Sequence, residues 1–302
     1  MDVAITGASG FIGTALSQSL AEDGHRPVAL VRRAVHAGAD EIAWDPVAGT
    51  IDAASLEGID AVVNLGGAGI GDKKWTDARK QLILDSRIMS TTLLAETLAG
   101  LESKPAVLVS SSGIGYYGSR GDETLTEKDA IGTDFLAEVS GAWEQATSAA
   151  SDAGIRVALA RTSIVLDGTG GILKKQLPLF KLGMGGRLGD GNQFTSWISL
   201  RDQVRAIEFL LGPQGATVRG PANFCTPNPV TNQEFTKTLG QVLGRPTMLP
   251  VPMIGPKLLF GAEFVEQLLL TSQRALPEVL TNAGFTFEDP ELEPALRRML
   301  DK

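Results

Sequence analysis

The chain has 302 residues, 43% of them hydrophobic, and carries 27 Lys plus Arg against 35 Asp plus Glu, for a formal net charge of -8. That composition suits a globular core in one large domain or two and argues against disorder. The acidic balance, without a dense Lys/Arg cluster, weighs against a nucleic-acid or anionic-membrane partner, since phosphate contacts need positive charge, and leaves room for a small anionic ligand held by a few local cations.

The chain starts "MDVAITGASG", without a basic and apolar leader, and no later apolar run reaches the roughly 18 residues of a membrane helix, so a cytoplasmic protein with no membrane partner is expected. Short apolar runs at 3–7, 27–33, 61–67, 106–112 and 156–166 read as buried strands. Amphipathic segments at 11–23, about 74–100 and about 134–153 read as the helices between them. Strand and helix alternating in this way predict an α/β fold, a doubly wound parallel sheet covered on both faces. After about residue 166 the rhythm changes: "GMGGRLGDGNQ" (183–193) is a glycine-dense loop, proline becomes frequent, and short helices are expected near 201–211, 232–243, 263–270 and 291–300. The predicted division is a Rossmann domain over 1–165 plus about 198–226, and a smaller, irregular substrate domain over about 166–197 and 227–302, with a ligand cleft between them.

Cys225 is the single cysteine, and His25 and His36 are the two histidines. Disulfides, cysteine metal clusters and Ser-His-Asp catalysis are therefore poorly supported, and no metal is expected.

"ITGASGFIGTAL" places Gly7, Gly10 and Gly13 between the first strand and first helix. The turn needs residues without Cβ, a diphosphate needs close approach to backbone N–H groups, and the helix N-terminus adds a favourable dipole. A bare glycine turn is the alternative, made weaker by the strand-to-helix context. The second strand ends "LVRR", where an NAD site usually carries Asp or Glu for the ribose 2'-hydroxyl. Arg32 and Arg33 suit a 2'-phosphate instead, which favours NADP(H), unless they merely solvate the strand end. "NLGG" (64–67) and "SSS" (110–112, including Ser110) fall at further strand ends, where a dinucleotide is lined.

"TGASGFIG", "NLGG", "KKWTDARKQLILDSR", "SSSGIGYYG", "DFLAEVSGAWE", "GMGGRLGDGNQFTSWISLRD", "NPVTNQEF" and "GFTF" together resemble the epimerase-family branch of the extended short-chain dehydrogenase/reductases, from residue 1 to about 297 and including that branch's small C-terminal domain. The resemblance implies an NADP(H) site contacted by Gly7, Gly10, Phe11, Ile12, Gly13, Arg32, Leu65, Gly66 and Arg87. It implies no particular reaction, because fold is not function.

Active extended members carry Tyr-x-x-x-Lys on the helix after the serine strand. Here that helix reads "FLAEVSGAWE", and neither Phe135 with Val139 nor Leu136 with Ser140 supplies a phenol and an amine. Ser112, or its neighbour Ser111, stands where a carbonyl-orienting hydroxyl belongs. Tyr117 matches the family's pocket-wall turn, and Gln193, Ser196 and Trp197 are expected to face the pocket. Tyr116 and Arg120 reproduce the Tyr-x-x-x-Lys spacing, but in a glycine-flanked turn rather than on one helical face. Two functions follow: an NADP(H)-dependent oxidoreductase or epimerase on a small polar substrate such as a nucleotide sugar, or an NADP(H)-binding structural or sensor protein acting through a partner. The sequence leaves substrate and oligomeric state open.

Overall fold

The computed structural model describes residues 1–302. Its first half runs β1 (Asp2–Thr6), α1 (Phe11–Glu22), β2 (Arg26–Val31), β3 (Glu41–Asp45), β4 (Thr50–Ile51), β5 (Ala61–Asn64), α2 (Asp77–Gly100), β6 (Val107–Gly113), β7 (Thr124–Leu125), α3 (Phe135–Gln145), α4 (Ser148–Asp152) and β8 (Arg156–Thr162). The remainder runs β9 (Ile164–Asp167), α5 (Gly171–Lys181), β10 (Phe194–Thr195), β11 (Trp197–Ser199), α6 (Leu200–Leu211), β12 (Gly220–Phe224), β13 (Val230–Thr231), α7 (Asn232–Leu243), α8 (Ile254–Phe260), α9 (Ala262–Phe264), β14 (Arg274–Ala275), α10 (Glu278–Asn282) and α11 (Leu292–Met299).

Eight strands form one sheet in the order β12-β8-β6-β5-β1-β2-β3-β4, parallel except for the β3–β4 hairpin. Alternation along each strand feeds two cores. Val3, Ile5, Val63 and Val109 pack with Leu16 and Leu20 of α1 and Ile207 and Leu210 of α6. Ala4, Val62 and Leu108 pack with Leu94 and Leu98 of α2 on the other face. Each fully buried leucine of this kind contributes about 1.5–3 kcal/mol. The mixed α/β architecture with a large, mostly parallel sheet is the one expected. The sheet also takes in β3 and β12, which the apolar runs did not announce: β3 buries only Ile42 and Trp44 on alternate positions.

The predicted helix at 134–153 is broken at Ala146–Thr147 into α3 and α4. Residues 171–181, unassigned from sequence, form α5 with Pro178 inside it. In the smaller C-terminal region a third core gathers Leu173, Phe180, Trp197, Phe235, Leu239 and Leu296. No helix is long and apolar enough to cross a membrane.

One buried carboxylate ties this region to α6. Ser199 caps α6 by accepting from the Asp202 N–H at 3.0 Å. The fully buried Asp202 carboxylate is thereby free to accept from the N–H groups of Glu288 (3.0 Å) and Asp289 (2.8 Å) and from Arg205 (2.7 Å). Its role is thus to anchor the C-terminal chain rather than to start the helix. Asp202→Ala should strip several charge-assisted bonds and cost about 3 kcal/mol, read as a lower urea midpoint; a change under about 0.5 kcal/mol, the ordinary size for a surface substitution, would rule out the anchor.

Candidate functional site

The carboxyl ends of β1, β5 and β6 are fastened to one another by polar side chains. Thr6 donates its hydroxyl proton to Asn64 Oδ1 at 2.7 Å and accepts the backbone N–H groups of Leu65 and Gly66, each at 3.0 Å. Asn64 in turn donates to Thr91 of α2 (2.8 Å) and to Ser110 of β6 (3.1 Å). All four of these side chains are buried.

The glycine turn rests on this platform. Gly7 adopts φ +67°, which favours a residue without Cβ, and a Cβ there would stand 3.1 Å from the Leu65 carbonyl. A Cβ on Gly13 would lie 2.2 Å from the Gly7 oxygen, so only glycine lets α1 start this close to the turn. Gly10 caps α1 without a side-chain bond, and the first turn holds no acid. The N–H groups of that turn are therefore left for an anion, with the helix dipole behind them. Phe11 and Ile12 are half-buried, and the Phe11 ring fills the space above Gly170, where a Cβ would come within 2.3 Å of it.

The two arginines after β2 part company. Arg33 donates to Glu41 of β3 (2.9 Å) and to the Ala34 carbonyl, and with the His36 N–H it pulls the Glu41 carboxyl down to about 2. Arg33, its side chain still 49% exposed, is thus paired with Glu41 at the surface. Arg32 is exposed and forms no ion pair, so its guanidinium is the one free at this strand end.

Arg87 of α2 is buried behind Gly67, where an added Cβ would touch its guanidinium carbon at 3.1 Å. It donates to the carbonyls of Ala68 (3.0 Å) and Ile83 (2.9 Å) and lies over the Trp143 ring at 4.8 Å. No carboxylate meets it and its Nε has no partner. Burial pushes its pKa down to about 10, which leaves it charged at neutral pH. A buried cation without an acid is costly unless something electron-rich comes to it.

Ser110 is fully buried and accepts from Asn64, so it holds the strand ends in place and does not line the surface as expected. Ser111 is half-buried and points to the opposite face of β6 from its neighbours. Ser112 donates to Glu144 Oε1 at 2.7 Å, and Arg161 of β8 grips both oxygens of that carboxylate at 2.8 and 2.9 Å. Arg161 also donates to the Tyr117 hydroxyl at 3.1 Å, and that hydroxyl donates to Asn223 of β12 at 2.7 Å.

Tyr117 is fully buried and burial pushes its phenol up to about 12, so it braces the network and is not the pocket wall that the sequence suggested. Tyr116, half-buried, lies over the Arg161 guanidinium at 3.4 Å. Arg120 pairs with Glu123 and not with either tyrosine, so the "YYGSR" spacing forms no catalytic pair. Leu136 and Ser140 of α3 pack under the glycines of this turn, with Gly115 3.1 Å from Leu136 on the same measure.

The expected pocket residues of the smaller region also turn inward. Trp197 is fully buried in the third core, with its indole N–H unpartnered. Ser196 is buried and donates to the Gln273 carbonyl, while Ala275 donates to it, so it holds β14 in place. Gln193 donates to the Leu188 carbonyl and keeps an unpartnered oxygen.

Residues 3–219 match the model of the NAD dependent epimerase/dehydratase family. The chain belongs to that family. Residues 251–299 match a domain of unknown function. The chain is 44% identical over 294 residues to an epimerase family protein of Mycobacterium bovis, covering 97% of this chain and 96% of that one. The human epimerase family protein SDR39U1, solved with NADPH, superimposes with a TM-score of 0.91 at 32% identity, over the whole of both chains. A nucleoside-diphosphate sugar epimerase from Corynebacterium glutamicum superimposes with a TM-score of 0.80 at 36% identity, over 99% of this chain and 57% of that one. The fold is thus the NAD(P)-binding fold of the epimerase/dehydratase family.

The turn's tolerance follows from its spacing. Gly13→Ala should drive a methyl into the Gly7 carbonyl, cost about 1–3 kcal/mol as overpacking does, and abolish the thermal shift given by NADPH. Gly100→Ala, at a helix end with nothing within 4 Å, should leave both unchanged. Equal NADPH shifts in wild type and Gly13→Ala would refute the turn as the binding element.

Proposed function

We propose that the chain is an NADP(H)-dependent oxidoreductase or epimerase acting on a small polar substrate, a nucleotide sugar being the class suggested by its relatives. The observation that carries this reading is the pairing of an acid-free glycine turn with one uncommitted guanidinium, Arg32, at the end of β2. Gly7, Gly10 and Gly13 would take the diphosphate, Arg32 the 2'-phosphate, and Arg87 an electron-rich group lying against Gly66 and Gly67. The bound nicotinamide would supply or accept hydride. We assign this binding to residues 1–165 with about 198–226, and the further substrate contacts to the remainder.

The protein's own proton chemistry then falls to Ser112 and Glu144. Because Ser112 spends its proton on Glu144, its oxygen is left to accept from a substrate hydroxyl. Glu144, held in place by Arg161, is the acceptor reachable through it. On this reading the pair stands in for the family's usual Tyr-x-x-x-Lys, which neither Phe135 with Val139 nor Leu136 with Ser140 of α3 supplies. That replacement also supports the second reading, an NADP(H)-binding protein without turnover.

Calorimetric titration tests the cofactor assignment. A charge-assisted bond contributes about 1.5–3 kcal/mol, so Arg32→Ala should weaken NADPH at least about tenfold and leave NADH nearly unchanged. Equal losses for both would refute it. NADPH oxidation or epimer formation over a panel of nucleotide sugars separates the two readings. Once a substrate is found, Ser112→Ala and Glu144→Gln should each lower turnover by about 10²- to 10⁴-fold at unchanged NADPH affinity; normal turnover in both would remove the pair from the mechanism.

A further inference from the structure

Charge is unevenly spread along this acidic chain. Residues 168–189 and 245–262 contain no Asp or Glu and six cations: Lys174, Lys175, Lys181 and Arg187 in the first, Arg245 and Lys257 in the second. With the whole chain at -8, everything outside these two stretches sums to -14. The fold sets the two stretches side by side. The Val251 N–H donates to the Arg187 carbonyl at 2.9 Å, Leu188 bridges Val251 in parallel, and Gly183 abuts Pro246.

The same two stretches supply eight of the fifteen large apolar side chains that the protein exposes. On α5, Lys175, Leu179 and Leu182 follow one another at i, i+4 and i+7, so cations and leucines share an outward face. On α8 no residue is buried: Ile254, Leu258 and Leu259 are 74%, 76% and 66% exposed around Lys257. Met248 and Leu249, 90% and 80% exposed, lie in the chain segment between α7 and α8. All six cations are exposed. Lys175 meets Asp72 at 3.4 Å and Lys257 meets Glu266 at 3.9 Å, both at the surface, and the other four form no ion pair.

We propose that this face docks on an anionic membrane surface, its leucines and methionines entering the headgroup boundary and its lysines meeting lipid phosphates. An isologous contact with a second copy would set six cations against six. A protein interface would favour Tyr, Trp and Arg and deplete Lys, whereas here four of the six cations are Lys and the exposed apolar groups are aliphatic or thioether. Aliphatic side chains interleaved with Lys on short surface helices are what an interfacial, non-spanning attachment needs. The whole-chain charge conceals this, because the acids lie outside the two stretches, Asp72 and Glu266 being the ones that pair with their cations.

Co-sedimentation with vesicles tests the proposal without reference to any substrate. The full chain should pellet with vesicles of equal parts phosphatidylglycerol and phosphatidylcholine, release as salt rises, and stay in solution with phosphatidylcholine alone. Lys181→Glu with Lys257→Glu, and separately Leu258→Glu with Leu259→Glu, should each weaken binding at least about tenfold. Both pairs should keep the wild-type melting temperature and NADPH affinity, since these side chains are exposed and lie outside the assigned cofactor residues. Val47→Glu, at an apolar residue 81% exposed on the β3–β4 turn, should bind as wild type. The proposal fails if wild type ignores anionic vesicles, binds neutral ones equally, or is unaffected by both double variants. It also fails if light scattering shows a dimer that the leucine variants dissolve, which would give the face to a second copy, or if immobilised DNA retains the chain at the same salt.

Discussion

A single hydroxyl organises the site. Thr6 sits where β1 ends, and its one oxygen gives a proton to Asn64 and takes the N–H groups of Leu65 and Gly66. The chain leaving β5 is thereby turned across the end of β1, and its carbonyl at Leu65 becomes the floor on which Gly7 rests. Gly7 in turn sets how near α1 begins, since Gly13 must pass its oxygen. Valine at position 6 would keep the strand but remove all three bonds and leave Asn64 short of a partner in a buried setting. The position of the helix dipole relative to the sheet rests on that one polar atom.

Two buried arginines on either side of this platform are handled in opposite ways. Arg161 has its own carboxylate, Glu144, and its remaining donors go to Tyr117 and to the Glu127 carbonyl, so its charge is spent within the fold. Arg87 has only carbonyls and an indole face, so its charge is unspent. In a medium of low polarizability the first arrangement is structural stiffening, and the second is a standing attraction for an electron-rich ligand. The contrast supports the proposed placing of an electron-rich group against Arg87, while Arg161 keeps Glu144 fixed beside Ser112.

Features that depend on neighbours in the chain were legible in the sequence: the glycine turn, the alternation of strand and helix, and the absence of a phenol and an amine in "FLAEVSGAWE". Features that depend on distant pairs were not. Arg33 looked equivalent to Arg32 until Glu41, on the next strand, closed on it. Ser110, Tyr117 and Trp197 have side chains common in pockets, but residue type does not report depth, and all three are fully buried. Glu144 and Arg161 lie 17 residues apart on different elements, and their pairing waits on β8 lying beside β6. A charged residue inside the apolar run "RVALARTSIVL" was the available signal that something there must neutralise it.

Net charge misleads for the same reason that residue type does: it is a sum over positions that the fold separates. A chain at -8 is expected to avoid anionic surfaces. Yet screening confines each charge's influence to about 8–10 Å at physiological salt, so a surface is governed by the charges within that distance. On α5 and α8 the charged side chains are Lys174, Lys175, Lys181 and Lys257, with Asp72 and Glu266 the acids that pair with them. In the proposed docking, the acids elsewhere disfavour approach by the faces that carry them, leaving the face built from 168–189 and 245–262 as the one to approach. Strong local attraction within a repulsive whole selects one orientation, which an evenly cationic protein of the same affinity would not do.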